Sequence, residues 1–369
     1  MNKQLDIHRN SDAMRKSLAT LGSSLGAIFL ALFICAVLLL VTGKDPLAAY
    51  GKILETGFTS DKFVEMLKRA TPLIFSAIAV AIGFKMNLFN IGVEGQYLFA
   101  ALIAAEMGTH VSLPAPLHVL FILVVAMVSG AAWASIAAFL KIVRGINEVI
   151  STIMLNYIAL SFIQWLFETF FRDDSDGGLN VKTTKIAPSG RMPDLVHDRL
   201  NGMFIVALLV AFVFWIVVFR SRFGFRLRAS GLNPIAARTA GIPASRMILV
   251  ALMLSGAVAG LVAMPAVIGD VYGYGPSAIA TQYGFAGIAV ALLGRNHPLG
   301  IVGAAMLFGF LDSTSAELQL SGIPSSIVKV IQAIIVLVVV IVNEASSRRY
   351  NRRTAERAAM ALKSLDARL

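Results

Sequence analysis

A chain of 369 residues that is 57% hydrophobic and only 14% charged cannot bury its apolar side chains in a water-soluble core, so a soluble globular domain is excluded and an integral membrane protein is implied. The net charge of +11 sits in short basic stretches beside apolar runs, which membrane topology explains and which argues against nucleic acid as a partner. Apolar runs approaching or exceeding about 20 residues, without the short alternation of barrel strands, predict an all-α polytopic membrane protein.

In chain order, residues 1–20 are expected to form a cytoplasmic N-terminal segment. The apolar run behind them is too long for a signal-peptide core, so it is expected to be retained as the first span, with Cys35 packed inside it. Spans are expected at 21–42, 71–86, 91–107, 117–140, 149–171, 203–219, 247–268, 283–293, 299–311 and 323–342, about ten within a transmembrane domain of residues 21–342. With the N-terminus inside, one topology puts Lys85, Lys141, Arg144, Arg295, the 220–246 loop and the basic tail 343–369 in the cytoplasm. The mixed-charge stretch 44–69 and the acid-rich loop 172–202 then lie outside.

Two regions are too interrupted for ordinary spans: 83–96, and 283–311 with its break at 294–298. The second reads either as two crossings or as a re-entrant hairpin. Each carries a GxxG, Gly92-x-x-Gly95 and Gly284-x-x-Gly287, before an apolar run. Broken segments at corresponding places in two internally related halves point to a transport pathway, although small residues also serve plain helix packing.

The first break brings Asn90, Glu94 and Gln96 to the membrane, where a lone carboxylate needs donors or water. They are expected either to line a solute path or to anchor a broken helix, unless Glu94 is simply solvated near the surface. In the next span Asn147, Glu148, Ser151, Thr152, Asn156 and Tyr157 form a polar stripe, with Gln164 and Trp165 further along. Asn156, Tyr157 and Gln164 read as solute-facing groups or, equally, as interhelical bonds and an interfacial aromatic.

The loop 220–246 holds six arginines and no carboxylate. Topology accounts for the charge but not for Asn233-Pro234-Ile235-Ala236-Ala237-Arg238-Thr239-Ala240-Gly241, which has an N-cap Asn, Pro at the first helical position and Gly past the end. A short capped helix with small residues suits insertion into a groove of another protein. No G-x-x-x-x-G-K-[ST] phosphate loop occurs, the histidines show no metal spacing, and no nucleophile has a base in sequence context. The chain is therefore expected to be no enzyme, with no cofactor of its own.

Residues 87–96 (NLFNIGVEGQ), 145–157 (GINEVISTIMLNY), 231–242 (GLNPIAARTAGI) and 287–294 (GIAVALLG) together resemble the permease subunits of ABC importers for simple sugars and nucleosides, nearest the nucleoside branch. The resemblance covers residues 71–342. It implies a multi-pass subunit of a bacterial cell membrane, a pore of two permeases (a heterodimer preferred, a homodimer possible), separate ATPase subunits carrying ATP and Mg, and an extracellular solute-binding protein. It also implies that Asn233, Pro234, Ala236, Ala237, Arg238 and Gly241 belong to the helix that couples to the ATPase. A simple-sugar importer is the alternative. An ion-coupled transporter using Glu94 or Glu148, or a membrane subunit with no transport path, is a reading of another class.

Overall fold

The computed structural model describes residues 26, 29–173, 175, 181–197, 199–320 and 322–366. The expected segment 1–20, the start of the first span and parts of the 172–202 loop lie outside them. Among the described residues seven helices are long and apolar enough to cross a membrane, and two shorter apolar helices accompany them. The described residues of the ten expected spans are largely helical, with 247–268 divided between two helices.

The chain divides into two compact units. The first comprises residues 1–55 and 315–369 and contains α1 (Phe29–Val41), most of α2 (Pro46–Gly57), the end of α13 (Pro298–Leu320) and α14 (Ser325–Asp366). On α1, Ala31, Cys35 and Leu39 are buried at i, i+4 spacing, the inward stripe of a helix. On α14 the matching stripe is Val328, Ile331, Ile335 and Val339. The Tyr50 hydroxyl of α2 donates to the Leu32 carbonyl at 2.7 Å and ties α2 to α1.

The second unit, residues 56–314, is built around α3 (Ser60–Phe84). Thr59 caps α3 by accepting from the Lys62 amide, and the run from Ala70 to Gly83 is buried without interruption. A helix apolar all round belongs at the centre of a bundle. Around it stand α4 (Val93–Thr109), α5 (Ala115–Arg144), α6 (Glu148–Leu166, continued by a π-turn Phe167–Phe171) and α7 (Met203–Trp215). They are followed by α8 (Arg222–Leu232), α9 (Pro234–Thr239), α10 (Ala244–Gly260), α11 (Met264–Gly269) and α12 (Tyr283–Leu293).

A hairpin of β1 (Asp194–Val196) and β2 (Leu200–Asn201) lies in the 172–202 loop. The expected span 247–268 is two helices, α10 and α11, separated by a tight turn at residues 261–263. The region 283–311 is resolved as a short α12 and a full-length α13. At about 1.5 Å per residue the 11 residues of α12 cover about 16 Å, half the hydrocarbon core. Its C-terminal turn places Arg295 and Asn296 at φ 55 and 53, and the Asn296 amide returns to the Ala291 carbonyl at 2.8 Å.

Helices α5 and α10 meet through small residues. A Cβ on Gly256 would strike the Ala134 methyl and the Gly130 carbonyl, and one on Gly260 the Ala126 carbonyl. Ala126, Gly130 and Ala134 on α5 thus interlock with Gly256-x-x-x-Gly260 on α10 at backbone contact, which in lipid supplies the packing that hydrophobic burial does not.

Candidate functional site

The two interrupted regions meet each other. Between α3 and α4 the chain turns at residues 85–92, with Asn87 at φ 56. Glu94, in the first turn of α4, is 7% exposed, so the solvated reading is excluded. Its Oε1 accepts the Gln282 amide at 2.5 Å and the Tyr97 hydroxyl at 2.9 Å, and its Oε2 accepts the Gly284 amide at 2.8 Å. Gln282 stands at the N-cap of α12 in a left-handed conformation and does not cap the helix with its own side chain. Glu94 therefore supplies from another helix the negative charge and the acceptors that the start of α12 needs.

Contact here depends on the absence of side chains. A Cβ on Gly284 would stand 2.7 Å from the Glu94 nitrogen, and one on Gly287 would collide with the Ser76 side chain. Ser76 Oγ donates to the Tyr283 carbonyl at 2.7 Å. The GxxG of the second break is thus seated on the carboxylate of the first and on the middle of α3.

Asn90, Gln96 and Asn156 complete the arrangement. Asn90 and Gln96 pair through both amides at 3.0 Å, while Asn90 Nδ2 also donates to Ser255 Oγ at 2.8 Å and its Oδ1 accepts the Gly92 amide at 3.0 Å. Ser255 Oγ in turn donates a hydrogen bond to the Ala79 carbonyl at 2.6 Å. Asn156 bridges the break from α6, accepting from the Gly95 amide at 2.9 Å and donating to the Ile91 carbonyl at 3.0 Å. The amides of Gly92, Gly95, Gln282 and Gly284 and the Ile91 carbonyl, freed where helices stop, are in this way satisfied within protein, as a membrane interior demands. The structure brings the four expected residues Asn90, Glu94, Gln96 and Asn156 together at the two breaks, each hydrogen-bonded to protein groups.

Tyr157 and Gln164 do not join them. Tyr157 is 66% exposed on the outer side of α6, and Gln164 is exposed and donates to Glu168 at 3.0 Å. The stripe beside them is local: Asn147 caps α6 through the Val149 amide at 2.8 Å, and Ser151 and Thr152 bond back to the Glu148 carbonyl at 3.2 and 2.6 Å. Glu148 pairs with Lys141 at 2.5 Å and accepts the Phe89 amide at 3.4 Å. Ser76, Ser255 and Tyr97 belong to the network and escaped the sequence reading; a serine within an apolar helix carries too little pattern to be singled out.

The arginine-rich loop folds as a second assembly. Asn233 Oδ1 accepts the Ile235 and Ala236 amides, both at 3.0 Å, and Pro234 occupies the first helical position of α9. At the other end Gly241 takes φ 76, with Gly241 N bonded to Arg238 O and Ile242 N to Ala237 O, both 2.9 Å. This is a Schellman stop, with buried Ala237 and Ile242 as its apolar contact. Ala237 is thus turned inward, while Ile235 (76% exposed), Ala236 and Arg238 face out.

Beneath α9, helix α8 rests on the first break. A Cβ on Gly231 would stand 2.7 Å from the Met86 Cα, and Leu227 packs with Met86, Leu88, Ala138, Ala251 and Leu252 in one apolar cluster. Lys85 lies over the Phe219 ring at 4.9 Å. The surface helix is therefore joined, through α8 and residues 85–92, to the buried network.

Comparison with known proteins fits this architecture. Residues 63–340 match the family described as branched-chain amino acid transport system / permease component. The chain belongs to that family. It is 38% identical over 334 residues to the guanosine ABC transporter permease protein NupP of Bacillus subtilis (strain 168), covering 88% of this chain and 94% of that one. The glucose ABC transporter permease protein TsgB13 of Haloferax volcanii is 32% identical over 86% of both chains. A second Bacillus subtilis protein, the guanosine ABC transporter permease protein NupQ, is 30% identical over 67% of this chain and 80% of its own. The chain is accordingly a membrane-embedded permease subunit of the ABC transporter type, all-α and polytopic.

Proposed function

We propose that this chain forms half of the translocation pathway of an ATP-driven importer for nucleosides. The observation that carries the reading is the match to a guanosine permease along 88% of the chain, within which lie both the polar anchor and α9. ATP and Mg belong to separate ATPase subunits, which would grip α9 through Ile235, Ala236 and Arg238. The arginine loop and both termini then face the cytoplasm of a bacterial cell, the 172–202 loop faces outward, and an extracellular binding protein delivers the solute. Two different Bacillus subtilis permeases bear the name of one solute and both resemble this chain, which favours a related second permease over an identical copy.

Closure of the ATPase dimer would push α9 and α8 against Met86 and Leu88. The turn 85–92 leads directly into Glu94, so the push arrives at the start of α12 and at Asn156 on α6. Alternating access would follow from tilting these elements about the anchored break. Glu148 is held by Lys141, and Glu94 by the backbone of α12, so neither carboxylate is disposed to carry a coupling ion.

The test is uptake of radiolabelled guanosine by cells expressing this chain with its ATPase, second permease and binding protein. Guanosine should accumulate, and Arg238→Glu or Ala236→Trp should abolish uptake while the permease still reaches the membrane. Glucose uptake without guanosine uptake would establish the sugar reading, which the comparable match to a glucose permease favours. Normal uptake in both variants would dismiss the role of α9.

A further inference from the structure

Beside Tyr283, within the second unit, lies a cavity of about 540 Å³ that none of the preceding assignments uses. The N-terminal half of α3, the hairpin residue Arg199, α11 and the segment leading to α12 form its walls. Its size falls in the range of small-molecule sites. Its charged lining is balanced: Asp61, Glu65 and Asp270 against Lys68, Arg69 and Arg199.

Each cation is committed to a carboxylate. Lys68 Nζ meets Asp270 Oδ1 at 2.8 Å, Arg69 meets Glu65 Oε1 through Nη2 at 2.6 Å and Nε at 2.9 Å, and Arg199 is paired with Asp61. Between the pairs the lining is apolar, with the half-buried Tyr283 part of it. Tyr283 opens α12, so whatever rests on it rests on the helix that Glu94 and Ser76 hold.

We infer that this cavity receives the uncharged solute and rejects its phosphorylated form. The inference rests on the nucleoside reading above and adds where, and by what charge arrangement, the subunit selects. A phosphate is bound by cations free to form charge-assisted bonds. Here the charge of each cation is already matched by a carboxylate, so the phosphate of a nucleotide finds no net positive charge to offset its own. Sugar hydroxyls can bond to the outer edges of paired carboxylates and ammonium groups without separating them. A base can lie on the Tyr283 ring and the apolar lining.

Saturation-transfer NMR on the assembled transporter, which detects weak ligands, provides the test, with guanosine and guanosine monophosphate as probes. The wild type should bind guanosine at least tenfold more tightly than the monophosphate. The double variant Asp61→Asn, Asp270→Asn frees two cations and should bring the monophosphate to binding equal to or tighter than that of guanosine in the same protein. A second variant, Lys68→Asp with Asp270→Lys, keeps the pair and the neutrality and should retain the wild-type ratio, which separates charge balance from damage to the fold. An unchanged ratio in the Asn variant, with assembly intact by size exclusion, overturns the inference. If the wild type binds glucose instead of guanosine, the nucleoside reading fails, and the ratio of glucose to glucose 6-phosphate in the same proteins decides the cavity independently.

Discussion

Removing the Glu94 carboxylate should loosen the start of α12 more than any other part of the protein. In Glu94→Ala the amides of Gln282 and Gly284 lose their acceptor, whereas the Tyr97 hydroxyl keeps the Ala280 carbonyl at 3.0 Å. The buried Gly284 amide without a partner costs about 1–3 kcal/mol and the part-buried Gln282 amide, which water can reach, adds less, so the local loss is about 2–4 kcal/mol. Glu94→Gln retains one carbonyl oxygen but turns an amine toward the other amide, leaving a single mismatch of about 1–3 kcal/mol. Since 1.4 kcal/mol is a factor of ten, amide exchange at 282–284 should accelerate about tenfold to a hundredfold in the Gln variant and further in Ala. Hydrogen exchange read by mass spectrometry on peptides covering 280–288, with uptake measured in parallel, tests this. Exchange at wild-type rates in Glu94→Ala, or a Gln variant no better than Ala, would refute the assignment of Glu94 as the cap of α12.

Gly260→Ala forces a methyl onto the Ala126 carbonyl and should lower stability by about 1–3 kcal/mol, seen as a reduced melting temperature of the purified permease, whereas Ala at Gly303, where no atom lies within 4 Å, should leave it unchanged. Asn156→Leu strips the Gly95 amide and the Ile91 carbonyl of their partners and should cost about 2–5 kcal/mol, with faster exchange at 91–95 and little change at α12. Loss of uptake in that variant without altered exchange at 91–95 would point to Asn156 touching solute instead.

The spans were readable because lipid demands long apolar runs, and the described residues of the expected runs are largely helical. Both interruptions were readable as well, since Gly, Asn and Glu within apolar sequence have few innocent explanations in a membrane. That the two interruptions touch was not, because the bond from Glu94 to the α12 amides joins residues nearly 190 positions apart. Tyr157 and Gln164 lie at helical spacing from polar neighbours on α6, but spacing gives a face only relative to the buried side. Asn156 looks inward and Tyr157, one residue on, looks out. The interlock at Gly256 and Gly260 was present as a GxxxG and passed unremarked, since its partner on α5 is alanine and glycine among many. The turn at 261–263 is announced by Pro265, which cannot continue the preceding helix and stands in the first turn of α11, but the unbroken apolar run masked that signal. For α9 the caps carried the reading: Asn, Pro and Gly occupy the positions their backbone chemistry favours.

Asn233 ends one helix and begins the next. Its amide bonds back to the Ala229 carbonyl at 3.2 Å while its side chain bonds forward to Ile235 and Ala236. A knee with no slack is the result, for no linker residue remains to absorb a rotation of α9. Gly231, which bears on Met86, stands only two residues from that knee, whereas α8 extends about 16 Å behind it. Under the proposed coupling, α9 and α8 would therefore move as one piece, and Gly231 would carry that movement directly onto Met86 at the membrane break.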